Sequence, residues 1–222
     1  MHLTRLFLLL CFFTLSLTTK AQKSFEGIIT HKITYNFKDN KEYSEYYQTM
    51  LSDTITFYIG KKKQMYVFNA SASSPTSKNV LLIKKGLDYT YTAGNDTIFT
   101  ANANENKDVL MSFKKNQKPK KTIMGLECES ITMRVKGTEG GYTVTSYYNP
   151  KYYLNPKPYK NIEQSFYNQF IEEAKSITLS TIIEYESGLT VTFEAISVNP
   201  QNIADSTFEL PKDKVYAEGK KQ

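Results

Sequence analysis

The 222-residue sequence carries 28 Lys+Arg against 22 Asp+Glu, is 40% hydrophobic and 14% aromatic, and contains no tryptophan. Apart from Arg5 and Arg134 those cations are all lysines, so the bidentate guanidinium forks that read phosphate and guanine are nearly absent. The lysines gather in turn-like places such as Lys61-Lys62-Lys63, Lys84-Lys85 and Lys114-Lys115, which suits solvated hairpin tips rather than a nucleic-acid stripe, and no nucleic-acid partner is expected.

Residues 1–21 read as a secretory signal peptide: Arg5 gives the positive n-region, 6–17 the apolar core, and Thr19-Lys20-Ala21 a small-residue cleavage site. The mature chain is therefore expected in the periplasm or outside the cell. The apolar run falls short of the roughly 20 residues of a membrane span, and nothing later approaches one. Removing Arg5 and Lys20 leaves 26 basic against 22 acidic residues, a net charge of +4. Cys11 leaves with the signal, so Cys128 stands alone, either buried or available to pair between chains; burial is the expected outcome. The 22–213 stretch has a length usual for one β-rich domain, and 214–222 reads as a charged, disordered tail.

Residues 25–37 alternate apolar and polar with period two and predict the first strand, with His31 among its apolar positions. A lone histidine has no partner for a metal pair or a triad, so it reads as a core or edge residue. Residues 39–51 predict a short helix from Tyr43, Tyr46, Tyr47, Met50 and Leu51, with Asp39 and Glu42 as a capping box. Hairpins follow over 54–59 and 64–68, then over 80–83, 89–92 and 97–100, with a Ser/Ala/Thr-rich loop at 69–79. After a short strand at 109–113 and a Pro119-bearing connection, 120–135 reads as one long central strand. It turns at 137–141 and pairs with 142–148. Prolines break regular structure across 149–158. They lead to a helix with Asn161 as N-cap, Gln164 at the reciprocal position, Lys175 in its last turn, and Ile162, Phe166, Phe170, Ile171 and Ala174 as its apolar stripe. Strands at 177–185 and 189–198 close the chain around Glu186-Ser187-Gly188. The expected architecture is mainly β with one or two helices: a curled antiparallel sheet with the helices on its concave side.

Three segments carry a family likeness. Ile123-Met124-Gly125-Leu126-Glu127-Cys128, Tyr58-Ile59-Gly60-Lys61 and Asp205-Ser206-Thr207-Phe208-Glu209-Leu210-Pro211 resemble the GLPGLI-type and related secreted domains of unknown function. The resemblance implies a fold similar to the periplasmic lipoprotein carrier LolA, a half-open barrel whose apolar hollow shields acyl chains. It transfers no functional residue by position.

Catalytic signatures are absent from the sequence: no nucleophile elbow, no metal-spaced histidines and no phosphate-cradling glycine loop. The carboxylate pairs Glu127/Glu129 and Glu184/Glu186 read as solvent-facing strand charge, and no enzyme activity, cofactor or metal is expected. The 17 tyrosines and 13 phenylalanines suit either strand packing or an apolar groove with polar tips. Two non-enzymatic readings follow. One is a carrier holding a lipid or other apolar ligand, with Ile33, Tyr66, Tyr89, Tyr91, Phe166 and Phe170 as candidate liners. The other is an envelope interaction protein that docks a protein partner through a strand edge or helix face without a small ligand.

Overall fold

The structure, a computed structural model, describes residues 22–219; the expected signal peptide lies outside the described residues. Alternating sequences produce twelve strands in one sheet: β1 (Gly27–Phe37), β2 (Thr54–Ile59), β3 (Lys63–Phe68), β4 (Ser77–Leu82), β5 (Leu87–Thr92), β6 (Thr97–Asn102), β7 (Val109–Ile123), β8 (Leu126–Gly137), β9 (Gly140–Tyr153), β10 (Ser176–Tyr185), β11 (Leu189–Pro200) and β12 (Val215–Glu218). Their spatial order is β12-β6-β5-β4-β3-β2-β1-β11-β10-β9-β8-β7. Two meanders, β1–β6 and β7–β11, therefore meet at a β1–β11 seam, where Gly27 lies opposite Pro200 and Phe37 opposite Leu189. The sheet is curled and open, as expected, and mainly β.

Register decides which side chains share a face. Ile29, His31 and Ile33 on β1 face the same way as Ile55 and Phe57 on β2 and as Val191, Phe193 and Ala195 on β11. Lys32, Thr34, Thr192 and Glu194 take the other face. The first set forms the concave side, apolar and buried at its floor; the second is polar.

The expected helix at 39–51 is present as α1 (Lys41–Met50), but Asn40, not Asp39, is its N-cap, its Oδ1 accepting from the Tyr43 N–H at 3.0 Å. Beyond Lys32, β1 has no β2 partner. There α1 supplies side chains instead: Gln48 Oε1 accepts from Tyr35 N–H at 3.2 Å, Gln48 Nε2 donates to Ile33 carbonyl at 3.1 Å, and Ser44 Oγ accepts from Phe37 N–H at 2.7 Å. These bonds satisfy backbone groups that would otherwise be orphaned.

The Pro119-bearing connection expected after 109–113 is instead strand, part of β7 and paired to β8 on both sides of a register shift, and the chain departs from the sequence expectations in four further places. The supposed single strand over 120–135 is broken at Met124-Gly125 into the β7–β8 hairpin; both residues have positive φ, 50° and 76°, the geometry of a two-residue primed turn, and glycine at the second position suits it. β9 continues through Pro150 to Tyr153, because its pairing to β8 ends at Tyr148 and Pro150 has no ladder position in which a missing N–H matters. The helix expected from Asn161 begins later: 3-10 turns cover Lys157–Tyr159 and Gln164–Phe166, and α2 runs Tyr167–Ala174. Ser165 and Phe166 at its start and Lys175 at its end all sit in the left-handed region. Finally, part of the expected disordered tail is strand β12, which pairs parallel to β6. Lys214 Nζ bonds Asp96 at 2.9 Å, Thr100 Oγ1 donates to Ala217 carbonyl at 3.2 Å, and Tyr216 meets Tyr89 edge-on at 5.9 Å.

Candidate ligand-binding face

The concave face divides into a filled half and an open half. In the filled half the segment from Lys157 to Ala174 lies against the sheet. Its apolar stripe is buried as expected: Ile162, Phe166, Phe170, Ile171 and Ala174 join one core with Ile29, Phe57, Ile131, Met133 and Tyr148. Phe170 meets the Tyr148 ring edge-to-face at 6.0 Å, a favoured aromatic geometry.

A buried polar cluster ties that segment down. Gln64 is 1% exposed, at an inward position of β3. Its Nε2 donates to the Tyr159 hydroxyl at 2.9 Å and to the Tyr167 hydroxyl at 3.2 Å. Burial pushes the Tyr167 phenol up to about 12 and holds Tyr159 far above the usual range. Asp88, inward on β5, accepts long bonds at 3.5 Å from Asn79 and Gln164 through Oδ2, while Oδ1 is buried and unpaired. Burial raises its carboxyl above the ordinary value, with the two amide bonds opposing. A raised carboxyl binds more protons folded than unfolded, so its stability contribution is fully present below pH 3.8 and lost as pH rises through its folded value. Asp88→Asn is accordingly expected to raise the melting temperature at pH 7 by about 2 °C, read by calorimetry, because it removes a charge that the site opposes. An unchanged or lowered melting temperature would show that Asp88 is satisfied as the anion.

The open half has a different composition. Ile33, Ile55 and Val191 form a second buried cluster containing no residue of the Lys157–Ala174 segment. Tyr35, Tyr66, Phe68, Leu189 and Phe193 pack against it and are only half-buried. Along the same face Ile183 and Val144 continue the apolar surface toward β9, also half-buried. The result is a shallow trough, floored by aliphatic side chains and rimmed by aromatic ones.

The six candidate liners do not come together. Ile33 floors the trough, and Tyr66 bridges trough and filled core, stacking on Phe57 with centroids 4.0 Å apart. Phe166 and Phe170 are core residues beneath α2 and not groove liners. Tyr89 and Tyr91 point to the opposite, convex face, because their register partners are Val80 and Lys78, while the inward neighbours on β5 are Asp88 and Thr90. Tyr89 packs there against Met65, Val80 and Phe208, under the strap that carries the chain toward β12. Sequence reasoning missed Tyr35, Phe68, Leu189 and Phe193. Their signal was present in the same alternation: Tyr35, Leu189 and Phe193 each lie two residues from a buried inward position, and Phe68 lies two from half-buried, inward Tyr66.

Among the solved structures that this chain resembles is one that covers most of its length. It is a LolA superfamily protein, NE2245, from Nitrosomonas europaea. The two share 8% sequence identity over 84% of this chain and 91% of that one, with a TM-score of 0.39. No family model matches the chain, and no curated protein does.

Four other titratable groups are engaged structurally. His31 is buried, pushed down to about 4 by that burial against a backbone hydrogen bond at Thr178. It lies opposite Ala195, whose small side chain lets the ring pass toward the β10 bulge at Thr178. Cys128 is fully buried, its Sγ donating to the Leu126 carbonyl at 3.4 Å, and burial raises the thiol. Glu129 accepts from Tyr148 hydroxyl at 3.0 Å, and Glu127 pairs with Lys120 at 3.2 Å. Among the described residues no group of three or more His, Cys, Asp or Glu is placed to hold a metal ion, and no helix is long and apolar enough to cross a membrane.

Proposed function

We propose that this chain is an exported, non-enzymatic binding protein that holds an acyl chain or similar apolar ligand along the open half of its concave face, in the periplasm or outside the cell. The supporting observation is the asymmetry of the sheet at its seam. One face presents half-buried Tyr35, Phe68, Leu189 and Phe193 over a buried aliphatic floor, and the other presents Lys32, Thr34, Thr192 and Glu194. Half-exposed aromatic side chains clustered on one concave surface lose water contact most efficiently against another apolar body. The segments around Ile123–Cys128 and 205–211 support placing the chain near the GLPGLI-type secreted domains.

Because side chains fill the half beneath α2, the ligand lies in a trough rather than a deep barrel. That filling also favours a second reading, in which the same apolar strip docks a protein partner of the cell envelope without a small ligand.

The test is mass spectrometry of an organic extract of the purified protein, together with thermal shift in the presence of fatty acids. Phe193→Glu places a charge in the trough and is expected to weaken acyl-chain binding by about tenfold or more, since burying an unpaired carboxylate is costly. Thr34→Glu, on the opposite face of the same seam, is expected to leave binding unchanged. Absence of co-purifying lipid together with no stabilisation by acyl chains points to the protein-docking reading instead.

A further inference from the structure

The two edges of the sheet are finished differently. On one side the last strand is β12, four residues long; on the other it is β7, fifteen residues from Val109 to Ile123. β7 pairs with β8 alone, and among the described residues no backbone group of Val109–Phe113 bonds anything outside that ladder. A row of open N–H and C=O groups is a template for another strand, and lysine is the usual means of keeping such a row unpaired. Lys114, Lys115, Lys118, Lys120 and Lys121 all fall in the second part of β7. The first part, Val109-Leu110-Met111-Ser112-Phe113, carries no charge, and its Val109 and Met111 side chains are 55% and 64% exposed. None of these residues belongs to the trough. Leu110 and Phe113 lie opposite Val135 and Met133 and so face the concave side. Val109, Ser112 and Lys114 lie opposite Lys136, Arg134 and Thr132 and face the convex side, with a bulge at Met111 shifting the alternation between them. Phe113 lines a groove of about 420 Å³ together with Lys160 and the α2 residues Asn168, Gln169, Glu172 and Glu173.

We infer that the uncharged part of β7 pairs antiparallel with the same segment of a second copy of this chain, about a two-fold axis between Met111 and Ser112. Leu110 then lies opposite Phe113 of the second copy, both on the concave side, and Val109 lies opposite Lys114 of the second copy, both on the convex side. Leu110 of each copy enters the groove lined by Phe113 of the other. The charges at the ends of the segment favour a second copy over an unrelated strand. Asp108 precedes the segment and Lys114 and Lys115 follow it, so a two-fold repeat lays its acidic end beside its basic one. The lysine-rich parts of the two copies meanwhile run away from the axis in opposite directions. Asp108 and Lys115 are already engaged within their own copy, by Tyr142 hydroxyl and by Glu173 at 3.1 Å, so these charges set the register more than the strength of the pairing.

The test is sedimentation velocity of the folded chain across a concentration series reaching about 1 mM. A reversible dimer is expected, with a Kd of roughly 10–100 μM, as suits a contact at the small end of interface sizes. Met111→Lys extends the lysine protection over the whole edge and is expected to weaken the dimer about tenfold or more, with the melting temperature unchanged because the side chain is exposed. Val215→Lys on β12, where the native side chain is 65% exposed, is expected to leave the dimer as it is. The double variant Val109→Cys with Lys114→Cys reads the register: oxidised glutathione is expected to link it into a disulfide dimer, and to link neither single variant to a comparable extent. Buried Cys128 takes no part in that reaction. A chain that stays monomeric throughout overturns the pairing and leaves the edge to an extended segment of another protein. A dimer indifferent to Met111→Lys, or single variants that crosslink as readily as the double one, overturns it equally. None of these outcomes depends on whether the trough takes an acyl chain.

Discussion

Phe170→Ala is expected to lower the free energy of unfolding by about 4 kcal/mol, the usual cost of removing a large aromatic side chain from a packed interior. Phe170 is 3% exposed and belongs to α2, which spans only Tyr167–Ala174 and has left-handed residues at both ends. Eight residues are too few to hold a helix by themselves, so packing on Tyr148 and the surrounding core holds α2 in place. Urea unfolding monitored by far-ultraviolet circular dichroism measures the loss. The exposed substitution Thr34→Ala serves as the reference, with an expected change within about 0.5 kcal/mol. A loss below about 1 kcal/mol for Phe170→Ala would show that α2 is not part of the cooperative core.

Acidification is expected to destabilise the wild-type chain through His31 before the carboxylates protonate. Its ordinary value is 6.5 and burial depresses it to about 4 in the folded chain. Between these two values the unfolded chain holds the proton and the folded one does not. The contribution is therefore present above pH 6.5 and lost as pH falls toward 4, up to about 3 kcal/mol over that window. Asp88 acts with the opposite sign, because its carboxyl is raised by burial and the stability it withholds returns as pH falls through its folded value, which partly offsets the loss. Chemical denaturation at pH 7.0, 6.0, 5.0 and 4.0 reads the slope, which His31→Leu is expected to flatten. A wild-type chain whose stability is level across the window would mean that His31 carries its proton in the folded state.

Much of the architecture was written in the period-two alternation. β2 appears over Thr54–Ile59 as the sequence placed it, and the helix over Lys41–Met50 has the tyrosine spacing that announced it. What escaped was set by pairing rather than by pattern. Tyr89 and Tyr91 sit in a strand whose two faces are both partly covered, so alternation alone could not say which is concave; only the pairing of Val80 with Tyr89 decides it. The Met124-Gly125 turn hid because Ile123 and Leu126 flank it with apolar residues, as though a strand continued. Gln64 and Asp88 gave a readable warning, each being a polar residue at an inward position, and both belong to the buried cluster under the Lys157–Ala174 segment.

The seam between β1 and β11 has a consequence for how the polypeptide is made. Each meander closes from neighbours in sequence, whereas joining them brings Gly27 against Pro200, contacts separated by most of the chain. Such distant pairings form late, because a long loop must close before they contribute. A polypeptide emerging amino end first cannot complete its middle until β11 has followed. Its apolar trough, built across that junction, comes into being only when the whole length has been delivered.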